Sequence, residues 1–388
     1  MVATLGVAIG LMSVDQGSPS YLMPFVKSAL NLDNTQIGAS VSVYWLMFAI
    51  GSSLAGLAAE KLGRKRLLVL LLSSFAVCSV LPSVAWNFPQ FAAARAATGV
   101  LAGALFSLCQ SILAHGSSPT TVGRNMGLVT GFAGNVFGML IGPVLLVHVA
   151  VTLGWRAGFL TVVAPMALCA SIAWAVLRES EPPIAPGVVS SSSFKELAGI
   201  RNVWLCGLLS SLFVAYVSLG LAFLPLYLTE ARSLSSAQMS LLISLLGLSA
   251  IVHSVALPFV ADRIGRKPTL FAAGVLSVGA PLAALYLESS LPVLGAALFF
   301  GWGIAGTASF SMGTIPSESV PARSVSKAYG VIIAFGVLVG GLAGPSLAGL
   351  AADQWGLRAP LLLLAGCALL SAMVSLALRE TAPKHLGS

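Results

Sequence analysis

Charged residues are scarce in this sequence. Asp, Glu, Lys and Arg make up 8% of the 388 residues, whereas a soluble protein carries about 25%. Hydrophobic residues make up 57%, more than the core of one or two soluble domains of this length can bury. The shortage of charge excludes a water-soluble fold, and the surplus of apolar side chains is expected to face lipid.

The sequence also lacks the motifs of most enzymes and metal proteins. Its five cysteines lie in apolar stretches without CxxC spacing, and there is no Walker loop, HExxH pair or G-x-S-x-G turn. GWGIAG at 301–306 fits GxGxxG but has no strand before it, so it predicts small-residue helix packing. We therefore expect no enzyme, no cofactor and no metal. The net charge of +8 comes from short loops, which argues against nucleic-acid binding.

Long apolar runs dominate the sequence. A membrane-spanning helix needs about 20 apolar residues, and these runs do not alternate as barrel strands do. The pattern predicts an all-α membrane protein with two domains, 1–177 and 203–388, joined by a Pro- and Ser-rich linker at 178–202. The twelve predicted spans are 3–28, 37–58, 67–85, 89–113, 126–149, 157–177, 203–229, 238–260, 269–287, 290–314, 329–350 and 358–378.

The positions of Lys and Arg predict the orientation in the membrane. If both termini and the linker share one side, that side carries fifteen of the twenty basic residues and the other side carries four. By the positive-inside rule, the termini and linker are expected to be cytoplasmic, in a bacterial-type inner membrane. The remaining basic residue, Arg95, lies inside a predicted span.

The two halves repeat each other at an offset of 202 residues. GLAAEKLGRK at 56–65 returns as PFVADRIGRK at 258–267, and Gly142-Pro143 returns as Gly344-Pro345. Because six spans bring the chain back to the side where it started, the halves are parallel repeats. Two such bundles allow a central site to be exposed to each face of the membrane in turn.

The loop GLAAEKLGRK and its second copy resemble the signature loop of the major facilitator superfamily of secondary transporters, and the resemblance covers essentially the whole chain. It implies two pseudo-symmetric six-helix bundles that this loop holds together on the cytoplasmic side in one state. A simpler interpretation is that its basic residues only anchor the topology. The predicted gating residues are Gly56, Glu60, Gly63, Arg64, Asp262, Gly265 and Arg266, with helix hinges at Gly142, Pro143, Gly344 and Pro345.

Two charged residues lie within the predicted spans. Asp15 is in the first and Arg95 in the fourth, and each opposes insertion by roughly 2.5 to 3.5 kcal/mol. Helical rise places them at similar depths, so they could meet within one long side chain. RAATGVLAG at 95–103 resembles the superfamily's fourth-helix motif, which is associated with proton coupling. We predict that Asp15 carries the proton, although a pair that only joins two helices is the alternative.

Polar and aromatic side chains elsewhere in the spans complete the predicted site. Each is also open to a structural interpretation, as a hydrogen bond between helices or an aromatic group at the membrane interface. The predicted substrate-binding residues are Arg95, Tyr44, Gln110, Asn135, Tyr216 and Trp302.

The leading functional prediction is proton-coupled import of a small organic anion by a monomeric transporter. GWRAGF at 154–159, with Asp15 and Arg95, resembles the anion- and aromatic-acid-transporting branches, but the Asp-Gly-x-Asp pattern of the latter is missing. The alternative is export of amphipathic drugs by proton antiport, which the glycines before Pro143 favour, although the glycine pair expected next is Leu145-Leu146. A third possibility is a receptor that transports nothing.

Overall fold

The protein is described by a computed structural model that covers residues 1–118, 121–177, 197–308, 310–321 and 324–382. These ranges form helices and turns, and no strand occurs within them. Most of the predicted linker, residues 178–196, lies outside the described residues.

Twelve helical segments follow one another along the described chain. Four of them, α5, α7, α10 and α11, include short stretches of wider, π-helical geometry. The segments are α1 (Val2–Leu30), α2 (Asn34–Leu62), α3 (Arg64–Val84), α4 (Phe88–Gly116), α5 (Arg124–Leu153), α6 (Trp155–Val176), α7 (Arg201–Ala231), α8 (Ser236–Ile264), α9 (Arg266–Tyr286), α10 (Leu291–Ser319, apart from residue 309), α11 (Lys327–Trp355) and α12 (Arg358–Leu376).

The prediction of an all-α membrane fold is confirmed. Eleven of the described segments, α2 to α12, are long and apolar enough to cross a membrane. The first segment, α1, is a helix of 29 residues that is not among these eleven, and it carries the polar stretch SVDQGSPS at 13–20. Most of that stretch is buried, so its polar groups face protein rather than lipid.

The described chain divides into two compact units. The first comprises the described part of Met1–Pro183 together with Pro225–Leu248, and the second comprises the described parts of Ile184–Leu224 and Ser249–Ser388. Within the first unit, the Lys27 ammonium lies 2.8 Å from a carboxylate oxygen of Glu230. A β-carbon at Gly247 would overlap the backbone of Met139. The domain boundaries at 177 and 203 stay a prediction.

The backbone repeats itself as the sequence does. All six residues with positive φ in the described ranges form pairs 202 apart: Gly63 with Gly265, Gly154 with Gly356, and Asn31 (φ 50°) with Ser233 (φ 54°). A left-handed backbone is unfavourable for residues other than glycine, so its recurrence at Ser233 reflects an inherited turn. The predicted duplication is therefore visible in local geometry.

Small residues bring helices α2 and α4 into contact. A β-carbon at Gly103 would overlap the carbonyl of Phe48, and one at Gly51 would overlap that of Val100. Helices in a bilayer gain association energy from such close packing, since lipid is as apolar as their side chains. This contact fixes the position of α4 relative to α2.

We predict that Gly103→Ala destabilises the protein by about 1–3 kcal/mol, the usual effect of forcing a methyl group into a packed interface. The matched control is Gly366→Ala in α12, where a β-carbon meets nothing within 4 Å. Thermal unfolding of the detergent-solubilised protein measures both. Equal unfolding temperatures for the two variants would contradict the packing described here.

Candidate functional site

A buried ion pair lies inside the first unit. Asp15 on α1 and Arg95 on α4 are 1% and 3% exposed, and Arg95 Nη1 lies 3.7 Å from Asp15 Oδ2. Neither oxygen of Asp15 has a hydrogen-bond partner of standard geometry among the described residues. The buried hydroxyl of Ser79 on α3 is close enough to interact with the carboxylate. The contact between Arg95 and Asp15 is longer than the 2.7–2.9 Å of a charge-assisted hydrogen bond, so it is Coulombic and loose.

Two further side chains hold the Arg95 guanidinium. Its Cζ lies 4.3 Å from the centroid of the Tyr44 ring, and Nη1 donates to Thr98 Oγ1 at 3.3 Å. Gly99 makes the stacking possible, because a β-carbon there would lie 2.6 Å from the Tyr44 carbonyl oxygen. Tyr44 was predicted from the sequence as a site residue, but Thr98 was not. The spacing indicated Thr98, because residues three apart are neighbours on the surface of a helix.

This arrangement can exchange partners. A buried charge needs a counter-charge, and the loose pair gives each group one. If Asp15 takes up a proton, Arg95 keeps its charge and loses its counter-ion, because a guanidinium does not deprotonate in proteins. An incoming carboxylate could then replace Asp15, and the planar N–H groups of arginine suit a carboxylate.

The other predicted substrate-binding residues of the first unit make no hydrogen bond to Asp15 among the described residues. Gln110 stands fifteen residues further along α4 than Arg95, roughly 22 Å by helical rise. Its side-chain oxygen is buried and has no hydrogen-bond partner in the part of the chain that the structure describes. Asn135 on α5 donates to the Gly131 carbonyl one turn earlier at 2.8 Å.

The second unit buries two of the predicted substrate-binding residues, both aromatic, against each other. Tyr216, next to the counterpart of Asp15, packs against Trp302 with ring centroids 4.8 Å apart. Its hydroxyl donates to the Ser277 carbonyl at 2.8 Å. Trp302 is fully buried, and its indole N–H has no hydrogen-bond acceptor among the described residues. The structure thus brings together these two predicted residues.

Helix α10 is interrupted beside Trp302, although the small-residue packing predicted for GWGIAG is present: a β-carbon at Gly301 would overlap the backbone nitrogen of Ala280. The α-helix ends at Phe300, and Gly303–Gly306 forms a 3₁₀ turn. The physical reason is that the Ile304 N–H donates to Ser277 Oγ at 2.6 Å, outside its own helix. Tight packing does occur at Gly306, where a β-carbon would lie 2.6 Å from the His253 backbone.

The second copy of the basic loop forms an ionic network. Arg266 Nη1 lies 2.5 Å from Asp262 Oδ1, and Nη2 lies 3.2 Å from Glu318 Oε1. Glu380, beyond α12, accepts hydrogen bonds from the backbone N–H groups of Arg266 and Lys267 at 2.9 and 3.0 Å. A carboxylate at the first turn of α9 is stabilised by the helix dipole. No sequence pattern indicated Glu318 or Glu380, because both are distant from Arg266 along the chain.

The first copy of the loop differs in one respect from the prediction. A β-carbon at Gly56 would meet nothing within 4 Å, so no helix among the described residues approaches it in this conformation. The reason is that Gly56 lies on an exposed face of α2. Gly63 ends α2 with φ 80°, as Gly265 ends α8 with φ 104°.

The predicted hinges lie in helices that have lost regular geometry. In α5 and α11 a π-helical stretch ends directly before Gly142-Pro143 and Gly344-Pro345. Proline has no N–H to donate to the preceding turn, which permits the wider geometry. The glycines also pack closely, since a β-carbon at Gly344 would lie 3.1 Å from that of Ala215.

A duplicated helical bundle with a buried acid and guanidinium has the architecture of a secondary transporter. The chain belongs to the Major Facilitator Superfamily, whose family model matches residues 5–335 and 203–388. It is therefore a multi-pass integral membrane protein and a transporter rather than an enzyme.

Curated relatives within this superfamily differ in what they are named for. The chain is 27% identical over 374 residues to the multidrug resistance protein MdtG of Escherichia coli, covering 90% of this chain and 85% of that protein. It is 24% identical over 269 residues to the probable 4-methylmuconolactone transporter of Cupriavidus pinatubonensis, covering 66% of this chain and 61% of that protein. The second match spans less than two thirds of its relative.

Solved structures share the fold. A bacterial homolog of the human lysosomal transporter Spinster, in an inward-facing and occupied conformation, matches with a TM-score of 0.80 at 16% identity, over 97% of this chain and 95% of that one. The xylose transporter XylE of E. coli, in an inward open conformation, matches with a TM-score of 0.72 at 17% identity, over 99% of this chain and 97% of that one.

We predict strong coupling between Asp15 and Arg95 in stability. Arg95→Gln leaves a carboxylate buried alone and is expected to destabilise the protein by about 3–5 kcal/mol. Adding Asp15→Asn should recover most of that loss, because no buried charge then remains. Thermal unfolding of the wild type, both single variants and the double variant measures the coupling. Effects that simply add would contradict it.

We predict that Glu380 makes stability depend on acid pH. Burial acts to raise its pKa, but hydrogen bonds from four backbone N–H groups outweigh burial and hold the pKa below the usual 4.5. The ionised Glu380 therefore contributes its full stabilisation above about pH 4.5. This stabilisation is lost as the pH falls through the lower pKa that Glu380 has in the folded protein. Glu380→Gln should flatten the fall in unfolding temperature below about pH 5.

The control for Glu380 is Glu288→Gln, which changes an exposed carboxylate. That variant should follow the wild-type pH profile. If the unfolding temperature of Glu380→Gln falls with pH in parallel with the wild type, the hydrogen bonds that Glu380 accepts from the start of α9 contribute nothing to folding.

Proposed function

We propose that this protein imports a small organic carboxylate together with a proton by alternating access. The observation that carries the proposal is the Asp15–Arg95 pair, which is buried and whose charged groups are separated by 3.7 Å, longer than a charge-assisted hydrogen bond. In this proposal Arg95 binds the carboxylate of the substrate, and Asp15 binds the proton.

The charges of the pair explain why proton and anion would travel together. With Asp15 ionised, the pair is neutral and an added anion would leave a net negative charge inside the bundle. With Asp15 protonated and no substrate, a net positive charge remains. Only the empty ionised state and the state holding both proton and anion are neutral, and buried net charge is strongly unfavourable. The two neutral states are the ones expected to change conformation.

Tyr44 supports the role of Arg95. Stacking occupies the face of the guanidinium and leaves the N–H groups at its edge for carboxylate oxygens. Gln110, Asn135, Tyr216 and Trp302 stay predictions as contacts for the rest of the substrate. The relative named for 4-methylmuconolactone supports a small organic substrate.

The cellular setting belongs to the same proposal. The excess of Lys and Arg on one side supports an inner membrane with cytoplasmic termini. A monomer is proposed, and the gating residues are proposed to close the site on alternate sides of the membrane.

A transport assay tests the proposal. Purified protein is first screened by thermal shift against 4-methylmuconolactone, benzoate, xylose and tetraphenylphosphonium, and the stabilising compound is labelled for uptake into proteoliposomes. An inward proton gradient should drive accumulation of a carboxylate in the wild type. Asp15→Asn should keep exchange of labelled for unlabelled substrate and lose gradient-driven accumulation, whereas Arg95→Ala should lose both.

Glu288→Gln, an exposed carboxylate, is the matched control and should accumulate substrate as the wild type does. Accumulation by Asp15→Asn at the wild-type level would overturn the proton role of Asp15. Equal thermal stabilisation of the wild type and Arg95→Ala by a carboxylate would overturn the anion role of Arg95.

Export of amphipathic drugs by proton antiport is the second candidate. The observation that favours it is the match to MdtG over 90% of this chain. In the same vesicles, drug export predicts that no carboxylate is taken up. It also predicts that tetraphenylphosphonium moves in the direction opposite to the proton flow that drives it.

A further inference from the structure

An open groove runs between α3 and α6 in the first unit. It has a volume of about 870 Å³ and is lined mainly by apolar side chains. Its residues on α3 extend from Val69 to Leu81, about 18 Å by helical rise, and those on α6 from Trp174 to Val163. One leaflet of the hydrocarbon core is about 15 Å thick, half of 30 Å. The α3–α6 groove is therefore about as long as one lipid acyl chain in a single leaflet.

Small side chains make the groove deep. Ser73, Ala76, Ala167, Ala170 and Ser171 lie among its lining residues, while the wall residue Val77 is 68% exposed. Without larger side chains at these positions, α3 and α6 leave room between them that bilayer components must fill.

The second half carries larger side chains at four of these five positions. At the offset of 202, Ser73 corresponds to Val275, Ala167 to Leu369 and Ser171 to Met373. The equivalent helices α9 and α12 also pack tightly, since a β-carbon at Gly274 would lie 2.8 Å from the backbone of Ala372. In the second half, larger side chains thus occupy the space between α9 and α12 that corresponds to the groove. The fold does not require the groove, which is a feature of the first half.

One end of the groove is strongly basic. Lys65 Nζ lies 4.9 Å from the ring centroid of Trp174, which lines that end. The stretch 60–66 carries four cations and one carboxylate. Tryptophan and basic residues are characteristic of the level of the lipid headgroups, and basic pockets between membrane helices bind anionic headgroups.

We propose that the α3–α6 groove binds one anionic phospholipid of the surrounding bilayer. An acyl chain lies along the groove between Val69 and Leu81, and the phosphate contacts Lys65 beside Trp174. The apolar length of the groove matches the acyl chain of such a lipid, and the positive charge at one end matches its anionic headgroup. A zwitterionic lipid with the same acyl chains matches the apolar length but not the positive charge.

Native mass spectrometry of the full chain in detergent tests this site. The protein is titrated with dioleoylphosphatidylglycerol or with dioleoylphosphatidylcholine. The wild type should bind phosphatidylglycerol more tightly. Lys65→Gln should weaken that binding roughly fivefold, the usual effect of one cation near a lipid surface, and leave phosphatidylcholine binding unchanged.

Two further variants separate this site from general attraction between charges. Lys267→Gln removes the counterpart of Lys65 in the second half and should leave phosphatidylglycerol binding as in the wild type. The triple variant Ser73→Val, Ala167→Leu, Ser171→Met fills the groove with the side chains of the second half and should lose the bound lipid. Unfolding temperatures in detergent verify that both variants remain folded.

Three results would overturn the proposal. The first is equal binding of the two lipids by the wild type. The second is equal weakening by Lys65→Gln and Lys267→Gln. The third is a lipid-free dimer that the triple variant abolishes, which would assign the groove to a second copy of the chain.

Discussion

The structure depends on the burial of one acid and one guanidinium within a helical bundle that is otherwise almost free of charge. Neither Asp15 nor Arg95 can reach water in this conformation, so each requires the other. The packing around the pair holds the two charged groups close to each other. Glycines on α4 bring the helix against α2, and this contact places Tyr44 on the face of the guanidinium. The proposed exchange of partners at Arg95 therefore requires no change in the packing of α2 against α4.

Duplication explains how such a pair can exist in only half of the molecule. The two halves share their turns, down to the left-handed residues Asn31 and Ser233, and share the glycine-proline steps of α5 and α11. They differ in chemistry, since the counterparts of Asp15 and Arg95 are Val217 and Ala297. The second unit has an aromatic pair and an interrupted α10 in this region. The same backbone plan thus carries a charged pair in the first half and apolar residues at the corresponding positions of the second.

Much of the fold was predictable because the signals are local. Runs of about 20 apolar residues identify membrane helices, and the repeated loop identifies the duplication. The meeting of Asp15 and Arg95 was also foreseeable, since two charges at similar depth in lipid gain by pairing.

What the sequence missed depends on contacts between distant segments. Glu380 reaches the start of α9 from beyond α12, and Glu230 meets Lys27 across 203 positions. Gly56 was expected to contact a helix, yet it lies on an exposed face in this conformation. Its role depends on which conformation is formed, and composition carries no information on that.

Proton uptake on substrate binding tests the central claim most directly. Calorimetric titration of the purified protein with the carboxylate that stabilises it, in buffers that differ in ionisation enthalpy, gives the number of protons taken up per anion bound. The account predicts about one proton per anion near the pH at which Asp15 is ionised in the empty protein, and none for Asp15→Asn. Binding without proton uptake, or uptake that persists in Asp15→Asn, would contradict it.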